Sequence, residues 1–460
     1  MKPVNLAIGL CLATTFVHGH PTVHDKRNVL LDGFSNLLES AADLNVTSVS
    51  EGIFQDFKDL EGVILSLELM VSSVVDTSEI HGLSGAFSYI KGIFESPIWK
   101  SFYSGLIKLV YEENALEEVI INFSHRINNL NNTNTRSPKK PVYPSANNDD
   151  APYSLLEQQL RSAIYIPPGY EYGKGDKKSV LLVPATGCLG GNSFYSNFIK
   201  LLNQTDFADV AWLNIPNNLL DDAQLNAEYV AYGVNYLSGI SEGKNVSVIT
   251  WSQGGIITQW ALKYWPSLRD IIGEFIPVGA DFHGTKLAPV ICPSYPKVSC
   301  AASVLQQMYD SNFVRTLRKD DGDSAYVPTT SLYSGFDEVV QPQSINASAS
   351  LKDARNVGVG NYQFQKLCPN KTAGKFYTHE ALYNPLIWAL AADALKHGGV
   401  GDPTRIDLEH LCTLTISEEL DYADVFTIEA EALYSVFHLI FGKGKVKEEP
   451  ELREYAKAKN

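Results

Sequence analysis

Thr250-Trp251-Ser252-Gln253-Gly254 lies between an apolar strand-like run, Val246-Ser247-Val248-Ile249, and a segment of helical character, Gly255 to Leu262. A serine held on such a sharp strand-to-helix turn exposes its hydroxyl above a sheet edge, beside the backbone N–H groups of a helix N-terminus. A negatively charged oxygen is best stabilised there, so the arrangement suits a nucleophile that forms an acyl intermediate. The plain alternative is a serine that only caps a helix, a position Ser favours. Thr250 also stands where the usual small-x-Ser-x-Gly pattern has glycine.

In the fold built around this turn the chain runs nucleophile, acid, histidine. Five histidines lie downstream of Ser252: His283, His379, His397, His410 and His438. Leu332 to Val340 reads as a strand running into a loop that carries Asp337, the position for a triad acid; the alternative is an ordinary loop carboxylate beside Glu338. His379 follows one segment later and opens an apolar helix from Ala381 to Leu395, which makes it the best-placed base. His283 precedes the acid and breaks the order, although the loop after the strand Phe275 to Gly279 does lie at the active edge of such a sheet. His397 and His410 sit in polar turn sequence and His438 in an apolar tail, where a structural histidine is the simpler reading.

Upstream, Ser179-Val180-Leu181-Leu182-Val183 is the continuous apolar run of a buried parallel strand. The glycine-rich stretch Pro184 to Gly191 follows it, where this fold takes its second oxyanion donor. Thr186 offers an N–H and a hydroxyl there, and Gln253 offers the N–H directly after the nucleophile. Such donors are worth roughly 3 kcal/mol each. A dinucleotide-binding loop is the rival reading, but it needs Gly-x-Gly-x-x-Gly and an acid at the end of the next strand. That strand, Val210 to Leu213, ends instead in Asn214-Ile215-Pro216.

With these stretches assembled, the chain resembles the fungal lipases typified by Candida antarctica lipase B, from about Leu155 to about Leu414. The resemblance rests on Leu182 to Gly187, Asn226 to Tyr229, Thr250 to Gly255, Pro328 to Ser334 and Asp337 to Gln343. It turns Thr250 from a departure into support, because the family carries Thr-Trp-Ser-Gln-Gly. It implies an α/β-hydrolase in which Ser252, Asp337 and His379 form the triad and Thr186 with Gln253 forms the oxyanion hole. Asp281, Trp251, Val339 and Gln341 would line the substrate pocket, with core packing the alternative for Trp251. Where the family has an early disulfide this chain has Ile166 and Ala211, and Thr378 stands where the family has an acid before the histidine.

Among the cysteines, Cys11 falls in a leader-like stretch. Cys292 and Cys300 are close enough to staple a loop. Cys368 and Cys412 bracket the histidine segment, where the resemblance implies a disulfide. Cys188 is left over on the oxyanion loop; with no histidine near it in sequence, a semi-buried thiol is the reading.

At 460 residues, 45% of them apolar, the chain can bury a sizeable core and hold more than one folding unit. A net charge of -15 argues against nucleic-acid or anionic-membrane partners, which attract clustered Lys and Arg. Residues 1–19 read as a secretory signal peptide, too short for a transmembrane anchor, and Lys26-Arg27 as a dibasic processing site. Sequons at Asn45, Asn122, Asn131, Asn203, Asn245, Asn346 and Asn370 agree with a secreted, extracellular glycoprotein. Asn245, just before the nucleophile strand, is expected to be poorly accessible.

Residues 28–130 show apolar helical spacing, as in Leu30, Phe34, Leu37, Leu38 and Ala41, and read as a small N-terminal helical domain or propeptide. Residues 131–150, rich in Asn and Pro, read as a linker, 151–420 as the catalytic domain and 421–460 as a C-terminal tail. Strands and helices alternate after the linker, which predicts a mostly parallel sheet with helices on both faces. Thr285 to Leu317 is a candidate lid, and the tail's apolar residues either pack on the core or meet a lipid surface.

The expectation is a serine esterase on acylglycerols, met in solution or at an oil-water interface, that needs no metal or cofactor. An amidase or peptidase on the same triad and a catalytically silent binding protein are the alternatives. Ester-versus-peptide hydrolysis separates the first, and labelling by an organophosphonate the second.

Overall fold

The computed structural model describes residues 126–457 except 176, 289–291, 293–298, 375–380, 422, 423, 426, 429, 430, 432, 433, 436, 437 and 440–442. The leader, the Lys26-Arg27 pair, the apolar helical spacing upstream of residue 126, Asn45, Asn122 and His379 lie outside the described residues.

The domain is built on a seven-stranded sheet of order β1-β3-β2-β4-β5-β7-β8. Its strands are β1 (Ile164–Tyr165), β2 (Lys178–Val183), β3 (Ala208–Leu213), β4 (Val246–Trp251), β5 (Ile272–Val278), β7 (Thr329–Tyr333) and β8 (Val359–Gln363). Only β1 runs antiparallel to its neighbour. A short pair, β6 (Cys300–Ala301) with β9 (Lys445–Val446), stands apart from it.

The apolar runs form inner strands because both faces are covered. Leu181 and Val183 of β2 enter one core and Val180 and Leu182 the other. On the first face lie α3 (Ala223–Ile240) and α4 (Gln253–Tyr264), which bury Val230, Val234, Ile257 and Trp260. On the second lie α2 (Gly190–Phe194) and α6 (Pro385–His397), which bury Phe194, Leu386 and Leu390. Of two further helices, α1 (Glu157–Ser162) packs against α3 and β1, and α5 (Ala302–Gln306) against α3 and the short strand β6.

One element end differs from the sequence expectation and another agrees with it. The helix expected from Ala381 begins at Pro385, because the Asn384 side chain accepts from Leu386 N at 2.9 Å and proline suits the first helical position. The strand expected to run into a loop carrying Asp337 ends at Tyr333, where Ser334 Oγ accepts from Phe336 N at 3.0 Å and turns the chain into that loop.

The polar stretch 131–150 lies along the domain, with asparagine side chains as its fasteners. Asn134 Nδ2 donates to Arg161 O at 2.9 Å and Ile164 O at 2.8 Å, and Tyr236 donates to Arg136 O at 2.5 Å. Just upstream, Ile127 O accepts from Trp212 Nε1 at 2.9 Å and Asn214 Nδ2 at 3.0 Å, while Asn128 Oδ1 accepts from Asn192 N at 2.8 Å. Gly191 is required there: a Cβ would lie 2.4 Å from Ile127 O.

The C-terminal segment also packs on the core. Val425 and Ile428 are buried in the second core, Lys200 pairs with Asp424 at 2.6 Å, and Tyr455 meets Trp265 with ring centroids 5.5 Å apart. Phe426, Leu433, Val436 and Phe437 lie outside the described residues.

Candidate active site

Ser252 occupies the one-residue turn between β4 and α4 with φ 53° and ψ −124°. This is a left-handed conformation that L-residues adopt only where the surroundings impose it. Ser252 N donates to Val278 O of β5 at 2.9 Å, and Ser252 O accepts from Gly255 N at 2.8 Å. The hydroxyl makes no capping bond to the helix, so the simple N-cap explanation fails.

The helix start can sit this close to the sheet because two glycines follow Gln253. A Cβ on Gly254 would lie 2.5 Å from Val183 O and 2.8 Å from Pro184 O, and one on Gly255 2.4 Å from the Ala280 Cβ. Both carbonyls belong to rigid backbone. Gly254→Ala is therefore expected to cost ~1–3 kcal/mol of stability and to displace Gln253 from the end of β2. Denaturant unfolding together with ester hydrolysis checks this; an alanine variant with wild-type values for both would show that the helix start is not tightly seated.

Val183 of β2 pairs in register with Thr250 of β4, so the loop after β2 and the Ser252 turn leave the sheet side by side at its carboxyl edge. Among the described residues, neither the Thr186 N–H nor the Gln253 N–H donates to a protein acceptor. Thr186 Oγ1 lies 2.8 Å from Gln253 Oε1 and 3.2 Å from Gln307 Oε1. The hydroxyl proton thus goes to an amide oxygen, and the hydroxyl must rotate before it can serve an oxyanion. Gln253 Nε2 donates to Leu219 O at 3.0 Å, and Gln307 Nε2 to Gln253 Oε1 at 3.1 Å and Ser303 O at 3.1 Å. Gln307 was not legible in the sequence: it follows α5 in the stretch read as a lid and carries no motif.

Asp337 lies in the loop after β7, at the same edge, and is 1% exposed. Its Oδ1 accepts from Val339 N at 2.9 Å and Val340 N at 2.6 Å, which aims the carboxyl group. Gln341 Nε2 donates to Asp337 O at 2.6 Å, and Thr285 Oγ1 donates to Val339 O at 2.7 Å. Gln341 and Val339 thus take part in the scaffold of the acid loop.

Asp281, just past β5, is fully buried, and its carbonyl accepts from Gly284 N at 2.7 Å. Trp251 is 2% exposed and belongs to the second core, together with Val278 and Leu332.

His379 lies outside the described residues, but both ends of its segment are held. Ala373 N donates to Cys412 O at 3.1 Å, Asn384 Nδ2 to Ala373 O at 3.1 Å, and Ala381 and Leu382 are buried. The remaining downstream histidines have other neighbours. His283 Nδ1 lies 3.2 Å from Ser348 O, and burial lowers its pKa. His397 meets Asp393 at 2.9 Å and His410 meets Glu418 at 3.1 Å. His438 lies on the Tyr434 ring, and burial pushes its pKa down to about 4.

Disulfides join Cys292 to Cys300 and Cys368 to Cys412. Cys188 is buried in the second core and outside both. The described sequon asparagines, Asn131, Asn203, Asn245, Asn346 and Asn370, are all exposed. Asn245 is therefore accessible, contrary to expectation, because it stands in the turn before β4 rather than in the strand. Among the described residues, no helix is long and apolar enough to cross a membrane.

No protein-family model matches the chain. Lipase B of Pseudozyma antarctica is 38% identical over 194 residues, which cover 42% of this chain and 54% of that protein. The chain thus spans about half the length of that curated relative. The crystal structure of Aspergillus fumigatus lipase B matches with a TM-score of 0.70 at 40% identity, over 92% of this chain and 99% of that one.

Proposed function

This chain belongs to the lipase B family of α/β-hydrolases, and from that premise we propose that it hydrolyses carboxylic esters, acylglycerols among them, through an acyl-enzyme on Ser252. His379 takes the serine proton as the hydroxyl attacks the ester carbonyl and returns it to the leaving alcohol. Asp337 orients the imidazole and stabilises its cation. The Thr186 and Gln253 N–H groups receive the oxyanion, water attacks the acyl-enzyme, and the acid departs.

The observation that carries this reading is the Ser252 turn: a strained serine whose hydroxyl caps nothing, beside two N–H groups with no protein acceptor. The exposed sequons and the two disulfides support secretion into an oxidising compartment.

The test is reaction of the full chain with a phosphonate ester, with the modified peptide mapped and ester and peptide hydrolysis compared. Labelling at Ser252 with hydrolysis of esters and not peptides is the expected outcome. Labelling elsewhere, or peptide cleavage at a comparable rate, would replace the proposal with another.

A further inference from the structure

The Thr186–Gly187 turn is gripped from two sides by residues that lie far from it in sequence. Gly187 N donates to Asn218 O at 2.8 Å, and Asn218 Nδ2 returns a bond to Gly187 O at 3.2 Å. Asn218 is itself left-handed, with φ 55°. From the opposite end of the chain, Ser435 Oγ donates to Thr186 O at 2.7 Å, and its neighbour Tyr434 meets Asn218 Nδ2 through its hydroxyl at 3.2 Å. The approach is close: a Cβ on Gly187, whose φ is +78°, would lie 2.6 Å from Ser435 Oγ and 2.9 Å from the Ser435 Cα. Glycine is thus required both for its conformation and for the room it leaves.

We propose that Ser435 is a positioning residue for ester hydrolysis, acting through Thr186. The peptide unit between Thr186 and Gly187 is held at both ends, its carbonyl by Ser435 and its N–H by Asn218. Fixing that plane anchors the Thr186 Cα and one of its two backbone torsions, and so narrows the directions open to the Thr186 hydroxyl and N–H. Oxyanion donors act through preorganisation, because a donor that must reorient during reaction loses part of its effect. The C-terminal segment is therefore part of the catalytic apparatus. Its contribution falls on the transition state, where the oxyanion exists, rather than on the ground-state ester.

This inference rests on the proposed role of Ser252, and the experiment separates the two. In the full chain, Ser435→Ala is expected to lower kcat for a soluble short-chain ester about fivefold, with KM changed less than about twofold, which is the split of an interaction made in the transition state. Affinity for an alkylboronic acid, which forms a tetrahedral adduct at the serine, is expected to fall by the same factor. Ser435→Thr, which keeps the hydroxyl, is expected to restore both. Unchanged kcat and boronate affinity in Ser435→Ala, with Ser252→Ala inactive, would overturn the role of Ser435 alone. A fall in kcat that Ser435→Thr does not restore, or that comes with loss of folded protein while boronate affinity holds, would also overturn it. Full activity in Ser252→Ala would remove the proposed function and this inference together.

Discussion

Ser252→Ala is expected to lower kcat for ester hydrolysis by about a millionfold, the scale on which serine nucleophiles fail when the hydroxyl is lost. Fold and substrate binding should persist, because the hydroxyl makes no capping bond to α4. A second substitution sharpens the result. The left-handed backbone of residue 252 costs ~1–3 kcal/mol for a residue with a Cβ, whereas glycine adopts it without steric penalty. Ser252→Gly is therefore expected to be as inactive as alanine but more stable than the parent by ~1 kcal/mol, after the greater chain entropy of glycine is subtracted. Kinetics with a chromogenic ester and denaturant melts of both variants check this. Residual hydrolysis within a hundredfold of the parent would mean that another group supplies the nucleophile.

Asp337→Asn is expected to cost about 10⁴ in kcat with little change in KM, as when the carboxylate of a serine triad becomes an amide. Asp337 Oδ1 already accepts two backbone N–H groups, at 2.9 and 2.6 Å. An asparagine can keep those bonds through its amide oxygen, so the loop should hold its shape. What changes is the other atom of the group, from an acceptor to an NH₂ donor, which selects the wrong imidazole tautomer and offers no charge to its cation. Retention of activity within tenfold would show that Asp337 only shapes the loop. The neighbouring Glu338 would then be the acid to examine.

Much of this was open to a reader of the sequence. The apolar runs at Val180–Val183, Val210–Leu213 and Val246–Ile249 declare strands buried on both faces, and Ser252 follows the last of them at a turn that glycines permit. Asp337 is legible by its place after a strand and by chain order. Gln307, Asn218 and Ser435 are not: each matters only because the fold brings it to a loop many residues away, and none stands in a local pattern. The start of α6 was missed for a simpler reason, since Ala381 and Leu382 are good helix formers whose propensity yields to the Asn384-Pro385 cap.

Ile127 and Asn128 limit where the protein can be trimmed. A chain beginning near Asp150 would deprive the buried Trp212 indole, the Asn214 amide and the Asn192 N–H of acceptors on the upstream strap. Each is a polar group that the interior does not readily leave unsatisfied. They cluster around Gly191, one turn beyond the loop that carries Thr186. A maturation cut compatible with a working enzyme therefore falls upstream of Ile127, so that the strap stays attached to the mature protein.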